Sequence, residues 1–158
     1  MKKNCFKFSV LVLVLTVLMA GCGERLKTTD LSSISLDGLS VGDKIDDDIL
    51  TSYTQSERYS GSYKYKFEEI IIDTNDSDEV TYLFARFDEN YIDIKVNGKN
   101  PKTTEDVKKI LGENYQDKDY DREQKLRELV YVDNDKGVKA EFVYSSEQSL
   151  RWIELSKQ

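Results

Sequence analysis

The spacing of hydrophobic positions changes repeatedly along the chain, and each change predicts an element. Residues 10–19 are almost wholly apolar, whereas from 23 to 33 only Leu26 and Leu31 offer anything to bury, which predicts a flexible stretch. Residues 43–53 predict a short helix that Ser40 or Asp43 can cap, with Asp46, Asp47 and Asp48 near its positive N-terminal end. Tyr63, Tyr65 and Phe67 then alternate with Lys64, Lys66 and Glu68, and the phase slips at Glu69 before Ile70, Ile71 and Ile72, as a bulge within one strand would cause. Residues 80–87 are apolar on both faces, which predicts a central strand. A turn at 88–90 leads into 91–96, where Ile92, Ile94 and Val96 share a face. After Pro101, Thr103 with Asp106 forms a capping-box start, Val107, Ile110 and Leu111 have helical spacing, and Gly112 suits the C-cap. Strands follow over 126–133, 138–144 and 150–155, separated by turns at 134–137 and 145–149.

The second half of this pattern echoes the first. Ile49-Leu50 matches Ile110-Leu111, Glu69 to Asp73 matches Leu129 to Asp133, Val80 with Phe84 matches Val138 with Phe142, and Ile94 matches Ile153, at offsets of 61, 60, 58 and 59 residues. The expectation is an internal duplication of two helix-then-three-strand repeats, about 43–97 and 104–155, with Phe84 and Phe142 in equivalent buried places. Short turns between adjacent strands predict an α+β fold, an antiparallel sheet with short helices over one face, in a single domain spanning 34–158.

The N-terminal apolar run has a basic head of Lys2, Lys3 and Lys7, and it ends in Met19-Ala20-Gly21-Cys22. It is about half a bilayer span, too short for a stable transmembrane helix and suited to a signal-peptide core over 1–21. Leu18-Met19-Ala20-Gly21-Cys22 resembles the lipobox of bacterial lipoproteins. That resemblance implies that Cys22 becomes the first residue of the mature chain and carries the lipid, that residues 22–33 tether the domain, and that the protein sits on the extracytoplasmic face of a cell membrane. Lysine outnumbers arginine 17 to 6, a bias like that of low-GC Gram-positive proteins.

Removing the leader takes away three lysines and leaves 20 basic against 30 acidic residues, a net charge near −10. That sign opposes nucleic acid as a partner. Cys5 belongs to the leader and Cys22 would be acylated, so no disulfide is available to the mature chain. Histidine is absent, and with it go the side chain that titrates near neutrality and the commonest transition-metal ligand. No phosphate-binding glycine loop or serine-centred elbow is present. The chain therefore reads as no enzyme, with no catalytic residues, no metal site and no small-molecule cofactor. Among its acidic runs, 73–79 sets acceptor oxygens close together but lacks the glycine and glutamate of a calcium loop, and it reads as a solvated hairpin turn; 117–121 and 133–137 read the same way.

The tandem pattern, with Gly42-Asp43 opening the first helix and Leu111-Gly112 closing the second, resembles the small bacterial envelope proteins of the β-lactamase-inhibitor-protein-like and SmpA/OmlA (BamE-like) fold group. The resemblance implies a non-enzymatic protein-binding module. Ten tyrosines, all outside the leader, exceed what one core of this size hides, and amphipathic tyrosines favour interfaces. Tyr63, Tyr65 and Tyr91 are the expected partner-binding residues, on the sheet face that helices leave open, and Trp152 reads as core. The expected function is a lipid-anchored envelope lipoprotein, held to the membrane by its N-terminal lipid, that binds a basic protein or peptide. The alternatives are a bacteriocin or lantibiotic immunity lipoprotein, or an accessory lipoprotein of a transporter or envelope-assembly system.

Overall fold

The computed structural model describes residues 26–87 and 91–158. The leader, Cys22 and the turn at 88–90 lie outside them. The elements run β1 (Ile34–Leu36), α1 (Asp47–Leu50), β2 (Tyr65–Lys66), β3 (Ile70–Thr74), β4 (Val80–Arg86), β5 (Ile94–Val96), α2 (Thr104–Leu111), β6 (Gln116–Asp121), β7 (Leu126–Asp133), β8 (Val138–Tyr144) and β9 (Leu150–Lys157).

Seven strands form one antiparallel sheet in the order β2-β3-β4-β9-β8-β7-β6, and β1 pairs with β5 in a separate ribbon. The first face of the large sheet is defined by two rows of side chains that run across it in register. One is Ile72, Leu83, Leu155, Ala140 and Tyr131; the next is Ile70, Ala85, Ile153, Phe142 and Leu129. All ten are buried and belong to the core. Ile34 and Leu36 of β1, Ile94 and Val96 of β5, and Val107 and Leu111 of α2 close that core from the other side.

Local chemistry places these lids. β1 and β5 each run into a two-residue turn, Asp37-Gly38 and Asn97-Gly98, all four residues at positive φ. Asp-Gly and Asn-Gly supply the left-handed conformations that such tight turns require. The Leu36 and Leu39 backbones bond each other across the first turn, and those of Val96 and Lys99 across the second. Helix α2 starts with a complete capping box: Thr103 accepts from the Asp106 amide, the Asp106 carboxylate accepts from the Thr103 amide, and Gly112 closes the far end at φ 86°.

The expected α+β architecture is not what forms. β-structure accounts for 44% of the described residues and helix for 9%, so the fold is mostly β. The first face is covered chiefly by the β1–β5 ribbon, not by helices; α1 is a single turn capped by Asp46, and Asp43 instead accepts from the Ser40 amide. The two expected repeats also part company at their last strands, because β5 leaves the main sheet to pair with β1 while β9 sits at its centre between β4 and β8. Phe67, Glu68, Glu69 and Ile70 form a tight turn rather than a bulge, the Phe67 amide donating to the Ile70 carbonyl at 3.0 Å, so residues 65–72 are a hairpin. Residues 117–121 belong to the edge strand β6, and its row of exposed charges suits an unpaired edge.

Residues 26–31, expected within the tether, are docked on the end of β7. The Thr29 amide donates to the Val132 carbonyl (2.8 Å), the Asn134 amide to Thr28 Oγ1 (3.1 Å), and Asn134 Nδ2 to the Leu26 carbonyl (3.2 Å). Leu31 enters the core. Among the described residues no helix is long and apolar enough to cross a membrane.

Candidate binding surface

A strand buried on one face presents its alternate residues on the other. The second face of the sheet is therefore fixed by the core rows, and it carries Arg86, Trp152, Val143, Glu128 and Lys118 in one row, Ile71, Phe84, Glu154, Glu141 and Val130 in the next, and Asp73, Tyr82, Ser156, Lys139 and Val132 in a third. Neither helix packs on it. The loop that leads into β2 crosses one part instead, laying the Tyr63 ring parallel on Tyr82 (5.2 Å, 15°) and the Tyr59 ring edge-on to Phe84 (5.8 Å). Phe84 lies 6.4 Å from Trp152, and Tyr120 on the edge strand meets Trp152 edge-on at 5.3 Å. A row of rings thus spans the face from β4 to β6.

Glu154, on the central strand β9, is the hub of this row. Its Oε2 accepts from the Tyr82 hydroxyl (3.1 Å), and its Oε1 accepts from Trp152 Nε1 (3.2 Å) and the Tyr120 hydroxyl (3.4 Å). Burial, reinforced by the Glu154 charge, pushes the Tyr82 phenol far above its ordinary range and that of Tyr120 up to about 12. Both phenols therefore stay protonated donors at any physiological pH. Glu141 is directly opposite Glu154 and pairs with Lys139 at 2.8 Å. Glu128 is buried; desolvation raises its pKa, the Lys118 ammonium 3.0 Å away opposes the rise, and the charges of Glu141 and Glu154 add to it.

The Tyr82 and Tyr120 phenols and the Trp152 indole are donors held by the Glu154 carboxylate. Aromatic faces beside carboxylates suit the side chains of Arg and Lys, by stacking and by charge.

The structure separates the three tyrosines singled out from sequence. Tyr63 is on the second face. Tyr65 points to the core side, stacked on Phe67 at 6.4 Å beneath Lys64. Tyr91 stands 60% exposed in the connection to β5. Tyr82, Tyr120, Phe84, Glu154 and Trp152 complete the surface, and Trp152 is half-buried there rather than in the core. Strand phase could have found it: with Ile153 and Leu155 inward, Trp152 and Glu154 must point out.

The run 73–79 closes the β3–β4 hairpin, where the Asn75 side chain accepts from the Ser77 and Glu79 amides and Lys64 binds Asp78 at 2.8 Å. Among the described residues no group of three or more carboxylates is placed to hold a metal ion. A cleft of about 500 Å³ lies between the β1 segment and the ends of β8 and β9, with Leu31, Val41, Val138 and Leu155 in its wall and Lys136 and Asp135 on it. The chain matches no family model, no curated protein and no solved structure.

Proposed function

We propose that the protein is a lipoprotein anchored through acylated Cys22 to the outer side of a cell membrane, and that the second face of its sheet binds a basic protein or peptide without catalysing a reaction. One observation carries the reading: the row Tyr63, Tyr82, Phe84, Trp152 and Tyr120 shares a face with Glu154, Glu141 and Glu128. Rings supply contact area at low entropic cost, and carboxylates, within a mature chain near −10, supply orientation and on-rate toward a cationic partner.

Trp152 is the only tryptophan, so its emission reports on this face. Titration with Arg- and Lys-rich peptides should shift that emission saturably, and acidic peptides of the same length should not. Added salt should slow association more than it speeds dissociation. Binding that leaves Trp152 unchanged would place the site elsewhere.

A further inference from the structure

The docked N-terminal segment fixes how far the domain can stand from its anchor. Hydrogen bonds from Asn134 hold Leu26 and Thr28, and the ammonium of Lys136 pairs with Asp30 at 2.9 Å. The Leu31 amide donates to Asp133 Oδ2 at 3.2 Å, a carboxylate that is itself buried and whose Oδ1 accepts from the Asp135 and Lys136 amides. Only residues 23–25 then separate Cys22 from docked chain. Four peptide steps reach at most about 14 Å, however they are arranged.

The topology says which end this is. The C-terminal ends of β3, β7 and β9 and the N-terminal ends of β4 and β8 all lie together, because these strands alternate in direction and Gln158 bonds back to Gly137. The turns at 75–79 and 134–137 are there, and residues 42–43 join them by backbone bonds to Val80. The turns at 122–125 and 145–149 are at the opposite end, about 26 Å away along an eight-residue strand.

We infer that the end of the sheet bearing the 134–137 turn is held against the bilayer, as a membrane-apposed surface, with the strands leading away from it. The inference rests on the acylation of Cys22 proposed above. It adds to that reading that the partner is met within about 40 Å of the lipid, the reach of tether and strand together. The basic segment bound by the second face accordingly belongs to a polypeptide that is itself at the membrane surface.

The test uses the mature acylated protein in phosphatidylcholine–phosphatidylglycerol vesicles with a fluorescent acceptor on the lipid headgroups. The mature chain has no other cysteine, so Asp135→Cys and Glu123→Cys each accept one donor dye. Energy transfer should be several-fold more efficient from position 135 than from position 123. Asp133→Ala, or a twelve-residue Gly/Ser insertion after Gly23, should shrink the difference. Equal transfer from both positions, or stronger transfer from 123, overturns the inference. Flotation with the vesicles separates the two readings: protein that floats but gives equal transfer keeps its anchor and loses only the apposed end. Protein that does not float, or that floats equally as Cys22→Ala, removes the acylation reading and this inference with it.

Discussion

Leu31 and Asp133 are 102 residues apart and joined by one hydrogen bond of 3.2 Å, from the Leu31 amide to a carboxylate only 2% exposed. The bond fixes the start of the domain to the end of β7. Asp133→Ala should cost about 2–3 kcal/mol, because three backbone amides lose their acceptor and that of Leu31 is left buried. Urea unfolding measures the loss. Trypsin offers a second readout, since Lys27 should become cleavable while the strands stay intact.

Phe84 and Phe142 give a sharper contrast than their matching sequence positions suggest. Phe142 is fully buried in the core row, and Phe84 is half-buried on the second face, paired with Ile71 and Glu154. Phe142→Ala should cost roughly 3–5 kcal/mol, and Phe84→Ala clearly less. Thermal unfolding of the two variants decides between this and equivalent burial.

Two carboxylates predict opposite pH responses. Backbone donation from Lys102, with the Thr103 hydroxyl and amide adding, holds Asp106 below its ordinary 3.8. Its contribution is present above that value and is lost as pH falls through the lower folded value. Thr103→Ala, which removes one half of the capping box, should cost about 1 kcal/mol. Glu128 is raised from 4.5 by desolvation, so the folded state holds its proton more tightly than the unfolded chain and loses stability as pH rises through that window. Glu128→Gln should therefore be the more stable protein at neutral pH, by about 1 kcal/mol or less, with the gain vanishing below pH 4.5. Chemical denaturation at pH 4 and pH 7 checks the sign for Glu128, and carrying the series below pH 3.8 checks that for Asp106.

What the sequence made legible was local. Thr103, Asp106 and Gly112 define α2 because a capping box and a C-cap depend on residues a turn apart. The β7–β8 and β8–β9 turns were readable for the same reason. What escaped was decided across the sheet. Ile70 to Leu129 is an offset of 59, but the core residues of the next strands, Ala85 and Phe142, differ by 57, because the β3–β4 hairpin is longer and carries an irregularity at Asp73/Thr74. Aligning Phe84 with Phe142 is thus wrong by one residue, which in a strand exchanges the faces. The same rule moved Trp152 and Glu154 outward and Tyr65 inward. That β5 leaves the main sheet could not be read from Ile94 and Val96, since an apolar pair serves either a ribbon or a central strand equally well.

The surface itself predicts a graded loss of binding. Tyr63→Ala and Tyr120→Ala should each weaken a cationic peptide by about tenfold, equivalent to ~1.4 kcal/mol, at any salt concentration, as expected for rings that anchor a contact. Tyr65→Ala should leave affinity unchanged while lowering stability, because that ring packs against Phe67. Fluorescence titration alongside urea unfolding separates the two effects.

The most direct test of the binding face is photo-crosslinking in the membrane of the protein's own cell, with the probe placed at Tyr63 or Tyr120 on the second face and at Glu105 or Lys109 on the exposed side of α2. The account predicts an adduct with one basic, membrane-associated polypeptide from positions 63 and 120 and none from 105 and 109. An adduct formed only from the α2 positions would contradict it.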